Sequence, residues 1–92
     1  SEQFIKRLTT VVDKNRSRLV KSMKHNPTVL ALARKARSSE LSPQEKESVR
    51  LELIQMLKGI PAFGIISLPE KFLTLPILLK ILPKALFTDG IK

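Results

Sequence analysis

The chain contains no cysteine, no tryptophan and no tyrosine, and a single histidine, His25. Without thiols there is no disulfide framework and no thiolate nucleophile or metal ligand. One imidazole argues against a histidine-based metal site or a Ser-His-Asp relay within the chain. Phe4, Phe63, Phe72 and Phe87 are the whole aromatic inventory, too sparse for a nucleobase-stacking platform. Acidic residues are also few: 8 against 17 Lys and Arg give a net charge of +9 over 92 residues. Such an excess favours an anionic partner without naming it. No uninterrupted apolar run reaches the roughly 18–20 residues of a simple spanning helix. A chain this short buries a limited core and holds one small domain at most.

The charge is unevenly placed. Residues 1–37 carry ten cations, Lys6, Arg7, Lys14, Arg16, Arg18, Lys21, Lys24, Arg34, Lys35 and Arg37, against Glu2 and Asp13. Residues 38–58 are close to neutral, and residues 59–92 are mainly apolar. The expected organisation is therefore a basic amphipathic helical arm (1–37), a connector helix (38–58) and a proline-punctuated hydrophobic segment (59–92).

The expected fold class is all-α. Phe4, Leu8, Val11, Val12, Leu19, Val20 and Met23 recur at three-, four- and seven-residue intervals and form an apolar stripe. Asn26-Pro27 supplies a cap residue and a first-turn proline for a second helix carrying Val29, Leu30, Leu32 and Ala33. Ser38-Ser39 interrupts that pattern. Ser42 with Glu45 three residues on, and Pro43 between them, make a capping box. The spacing predicts a helix from about Pro43 to Lys58, stopping at Gly59, with Glu45 and Glu47 near its positive end.

Beyond Gly59 the prolines dominate. Pro61, Pro69, Pro76 and Pro83 are separated by eight, seven and seven residues, and the last three follow Leu68, Leu75 and Leu82. Each proline removes a backbone donor and crowds the preceding turn, so short helices are expected: Pro61–Ser67, Pro69–Leu75 and Pro76–Leu82. They would form either a hydrophobic helical hairpin or a membrane-embedded segment. Lys80 and Lys84 lie one turn apart and could snorkel toward headgroups.

The run Ile60-Pro61-Ala62-Phe63, Leu68-Pro69, Phe72-Leu73-Thr74-Leu75-Pro76, Lys80 and Leu82-Pro83 resembles the membrane core of the Letm family of leucine-zipper/EF-hand transmembrane proteins. The likeness covers about Val49 to Phe87. It implies an inner-membrane setting in mitochondria or bacteria, and a link to cation homeostasis or to ribosome and respiratory-complex biogenesis. It also implies a small stand-alone relative lacking the family's ribosome-binding-like domain. The sequence departs from the family pattern at Glu70, which directly follows Pro69, and at Leu86-Phe87, where the family has its final Leu-Pro. No D-x-D-x-D-G loop is present, so EF-hand calcium binding is not expected.

Two function classes follow. The first is a non-catalytic, membrane-associated accessory subunit of a larger membrane protein complex. Its lipid or partner contacts would be Phe63, Pro69, Phe72, Leu75, Pro76, Leu78, Leu79, Lys80, Leu82, Pro83 and Lys84. The ten cations of the arm would meet anionic lipid or an acidic partner on the cytoplasmic or matrix side. The second is a soluble basic helical module that packs its last third as core and binds an acidic protein or ribosomal RNA. A partial likeness of the arm to a transit peptide, and a plain solvated bundle face, are further readings of the same charges. No catalytic residue, cofactor, metal or small-molecule substrate is expected, since no nucleophile, phosphate-loop or metal-cluster pattern occurs.

Overall fold

A computed structural model describes residues 2–38, 40–61 and 73–87. Five α-helices run through them: α1 (Glu2–Lys14), α2 (Arg16–Lys24), α3 (Pro27–Ser38), α4 (Pro43–Lys58) and α5 (Leu75–Ile81), followed by a 3₁₀ turn at Lys84–Phe87. There is no strand among the described residues. The all-α expectation holds at this level. The expected helices at Pro61–Ser67 and Pro69–Leu75 lie largely outside the described residues.

The part of the basic arm before Pro27 is two helices rather than one. The apolar spacing runs through Val12 to Leu19 with polar residues between, and the chain breaks there at Asn15. Asn15 leaves helical geometry (φ −116°, ψ 24°), and its side-chain amide donates to the Val11 carbonyl at 2.8 Å. An asparagine that bonds the backbone of the preceding turn competes with helix continuation. The break lets Leu8 and Val12 of α1, and Leu19 and Met23 of α2, all point into one core. Thr9 and Thr10 of α1 return their hydroxyl protons to the carbonyls of Ile5 and Lys6, so neither polar group opposes the helix.

Helix α3 starts at Pro27, as its fixed φ and missing donor favour. Helix α4 has both halves of its capping box: the Glu45 amide donates to Ser42 Oγ at 3.1 Å, and the Ser42 amide to Glu45 Oε1 at 3.0 Å. It ends at Lys58, with Gly59 as C-cap. Gly59 stays right-handed (φ −73°), so the stop does not use glycine's left-handed freedom; Pro61 follows two residues on.

Prolines bound α5 on both sides. Pro76 sits in its first turn, where no intrahelical donor is needed, and Leu78 donates to the Thr74 carbonyl at 3.0 Å. At the other end Leu82 is extended (ψ 150°), the conformation a residue takes ahead of proline, here Pro83. The observed bounds, Leu75–Ile81, are one residue earlier than the expected Pro76–Leu82.

The core draws on every helix. Leu8, Met23, Ala33, Val49, Leu73, Leu78 and Leu86 have no exposed surface at all. Helix α5 packs against α1 and α4, α3 against α2 and α4, and the 3₁₀ turn against α3. Two arginines fasten the terminal segment by its backbone. Arg34 Nε donates to the Leu86 carbonyl at 2.8 Å, and Arg50 Nε to the Leu73 carbonyl at 2.9 Å. The Cα radius of gyration, 12.4 Å, matches the ~12 Å expected of a compact domain of this length. No described helix is long and apolar enough to cross a membrane.

Candidate anionic-partner surface

All ten cations of the arm are exposed, on the solvent sides of α1, α2 and α3. The cause is local. Each helix commits its apolar stripe to the core, and a charged head group costs several kcal/mol, of order, to remove from water without a partner. Acidic neighbours are scarce. Arg16 approaches Asp13 at 3.9 Å and Lys35 approaches Glu45 at 3.7 Å, both across exposed side chains. Such pairs are weak and leave both groups open to exchange. No ion pair forms at Lys6, Arg7, Lys14, Arg18, Lys21 or Lys24 among the described residues.

Arg34 and Arg37 are partly committed within the fold. Arg34 spends its Nε on Leu86. The Arg37 guanidinium stacks over the Phe87 ring, 4.6 Å from its centroid, a contact that restrains the planar fork.

Helix α5 and the 3₁₀ turn add a second basic feature. Lys80 and Lys84, expected one turn apart on a shared side, line a 360 Å³ groove together with Arg37 of α3. Pro76, Leu79 and Leu82 line the same groove, and among the described residues no carboxylate does. A 250 Å³ extension shares Pro76 and Leu79 and continues along Leu75, Leu41 and Ala36, with Lys46 and Glu40 at its border. A separate 560 Å³ cleft at the α1–α2 break holds Lys14, Arg16 and Arg18 together with Asp13.

The expected contact residues of the apolar segment therefore divide. Lys80, Lys84 and Pro76 are exposed and Leu75 and Leu79 half-buried, so these five are accessible. Leu78 and Leu82 belong to the chain's own core, Leu82 also at the groove wall, and Pro83 is buried. Phe63, Pro69 and Phe72 lie outside the described residues. Sequence reasoning missed Ala36, Leu41 and Lys46 as groove neighbours. They carry no local signal, because helix packing alone brings α3 and α4 beside α5.

The Glu45 titration is displaced. Hydrogen bonding to the Ser42 backbone, aided by the nearby Lys35 charge and the Ser42 hydroxyl, holds the Glu45 carboxyl below its ordinary value of 4.5. That is a capping effect rather than a catalytic one. His25 is exposed, with Nδ1 2.8 Å from the Lys21 carbonyl at the end of α2. Among the described residues, no three His, Asp or Glu side chains gather closely enough to hold a metal ion.

No family model, curated protein or solved structure matches this chain.

Proposed function

We propose that the protein is a non-catalytic helical binding module whose basic surface docks an acidic protein partner. One observation carries this reading: the described part of the apolar segment is folded into the core, while every cation of the arm stays outside. Leu73, Leu78 and Leu86 are fully buried, and Ile81 is 1% exposed. A segment that served mainly to enter lipid would have to leave this core first, withdrawing α5 from α1 and α4 and breaking the arginine bonds to Leu73 and Leu86. The accessory-subunit reading asks for that rearrangement; docking by the basic faces asks for none.

Charge supports association by steering, with rates that fall as salt rises. A protein is favoured over RNA because, among the described residues, no aromatic ring stands ready to stack a base. Phe4 is half-buried against the core, and Phe87 lies under Arg37.

The reading is tested by fractionating cells that express the protein. The particulate fraction is washed in high salt, then in alkaline carbonate, with and without nuclease. Release by salt, with co-fractionation indifferent to nuclease, is expected. Retention through carbonate would overturn the proposal in favour of membrane insertion, and loss of association on nuclease treatment would replace the protein partner by RNA.

A further inference from the structure

Most of the basic surface offers charge alone, but the groove between α3 and α5 offers charge beside apolar area. Pro76, Leu79 and Leu82 line it together with Arg37, Lys80 and Lys84. The extension toward Leu75 and Leu41 is markedly less polar and brings in Lys46 and, among the described residues, one carboxylate, Glu40.

From this juxtaposition we infer that the α3–α5 groove is the docking site for an acidic amphipathic helix of a partner protein. Leucine-like anchors of that helix pack on Pro76, Leu79 and Leu75, and its flanking Asp or Glu pair with Arg37, Lys80 and Lys84. The inference rests on the basic-module reading and locates where its specific contact is made.

Charge complementarity decides the occupant. Three cations line the groove with no acidic counterpart among the described residues, so a basic or neutral helix would leave them unpaired. A second copy of this chain, with its own cationic excess, would bring like charges together. Arg37 is prepared for the task, because stacking on Phe87 restrains its side chain before binding and lowers the ordering cost of a bidentate carboxylate contact. Lys80 and Lys84 are placed by rigid features: the last turn of α5, and the 3₁₀ turn secured by Arg34 through Leu86. A nucleic acid would gain nothing from the aliphatic lining. A helix laid in a groove uses anchors at i, i+3, i+4 and i+7.

The test uses the full chain and a labelled helical peptide with leucine at i, i+3, i+4 and i+7 and glutamate beside them. Binding is read by fluorescence anisotropy and mapped by amide chemical shifts. Shifts are expected at Arg37, Leu75, Leu79, Lys80 and Lys84. K80E/K84E changes two exposed side chains, so its melting curve should match the parent; it should weaken the peptide by about tenfold or more. The same variant should gain affinity for a peptide with lysine in place of glutamate. Replacing the leucines by serine should abolish binding.

Absence of binding, shifts confined to α1 and α2, or an unchanged affinity of K80E/K84E would overturn the groove assignment. Indifference to the leucine-to-serine change would do the same, because it would reduce the contact to bare charge. If phosphatidylserine vesicles bind through Lys80 and Lys84 while the peptide does not, the groove is a lipid site and the inference falls. The broader module reading fails separately, by retention through carbonate or by sensitivity to nuclease.

Discussion

Leu78→Ala separates a segment that belongs to the protein's own core from one held in reserve for another environment. Leu78 has no exposed surface and lies at the centre of α5, which packs on both α1 and α4. Truncating a fully buried leucine typically costs about 2–5 kcal/mol, combining lost transfer energy with the cavity left behind. A domain of this length has a total stability of about 5–14 kcal/mol. The substitution should therefore remove a large share of it, and at about 4–8 °C per kcal/mol the midpoint should fall by roughly 8–40 °C. Its neighbour Leu79 is half-buried at the groove, so Leu79→Ala should cost well under half as much. Urea unfolding followed by circular dichroism would measure both. A lower midpoint at unchanged slope is expected for Leu78→Ala, since the surface exposed on unfolding hardly changes. If Leu78→Ala unfolds like the parent protein, or Leu79→Ala proves the more damaging, the orientation of α5 and the core argument fail together.

Other consequences are equally specific. Ser42→Ala removes one half of the α4 capping box and should lower stability by about 1 kcal/mol, read as a shift in urea midpoint; no change would mean the box contributes nothing net. Arg50→Met should cost roughly 1–3 kcal/mol by leaving the Leu73 carbonyl without its donor, and should speed amide exchange in α5 before the rest of the fold. The Glu45 carboxyl is held below its ordinary value, so the unfolded chain takes up this proton first as pH falls. Its stabilisation is present above about pH 4.5 and is lost as pH falls through the lower folded value. Glu45→Gln should flatten the acid side of the stability–pH curve, and an unaltered curve would refute the linkage.

The boundaries of α4 were legible to the residue. A serine, a proline and a glutamate at fixed spacing satisfy amides within one turn, and Gly59 marks the stop. The start of α3 at Pro27 and the confinement of α5 between Pro76 and Pro83 follow from the same short-range rules. So does the exposure of the ten arm cations, since each helix has one apolar stripe and charge resists burial. All of these depend on interactions between residues a few positions apart.

Other features depend on the assembled fold. The break at Asn15 joins the stripes of α1 and α2 to one core, a result that the stripe alone predicted as a single helical arm. Whether Leu73, Leu78 and Leu86 would meet lipid, a partner or their own chain was equally open, because the same apolar sequence suits all three. The groove needs Arg37 beside Lys80, and the terminal anchor needs Arg34 beside a carbonyl 52 residues away. Burial of apolar surface is favourable in any water-free surrounding and carries no direction. The choice of neighbour therefore comes from packing five helices against one another, where shape and a few long-range hydrogen bonds select one arrangement.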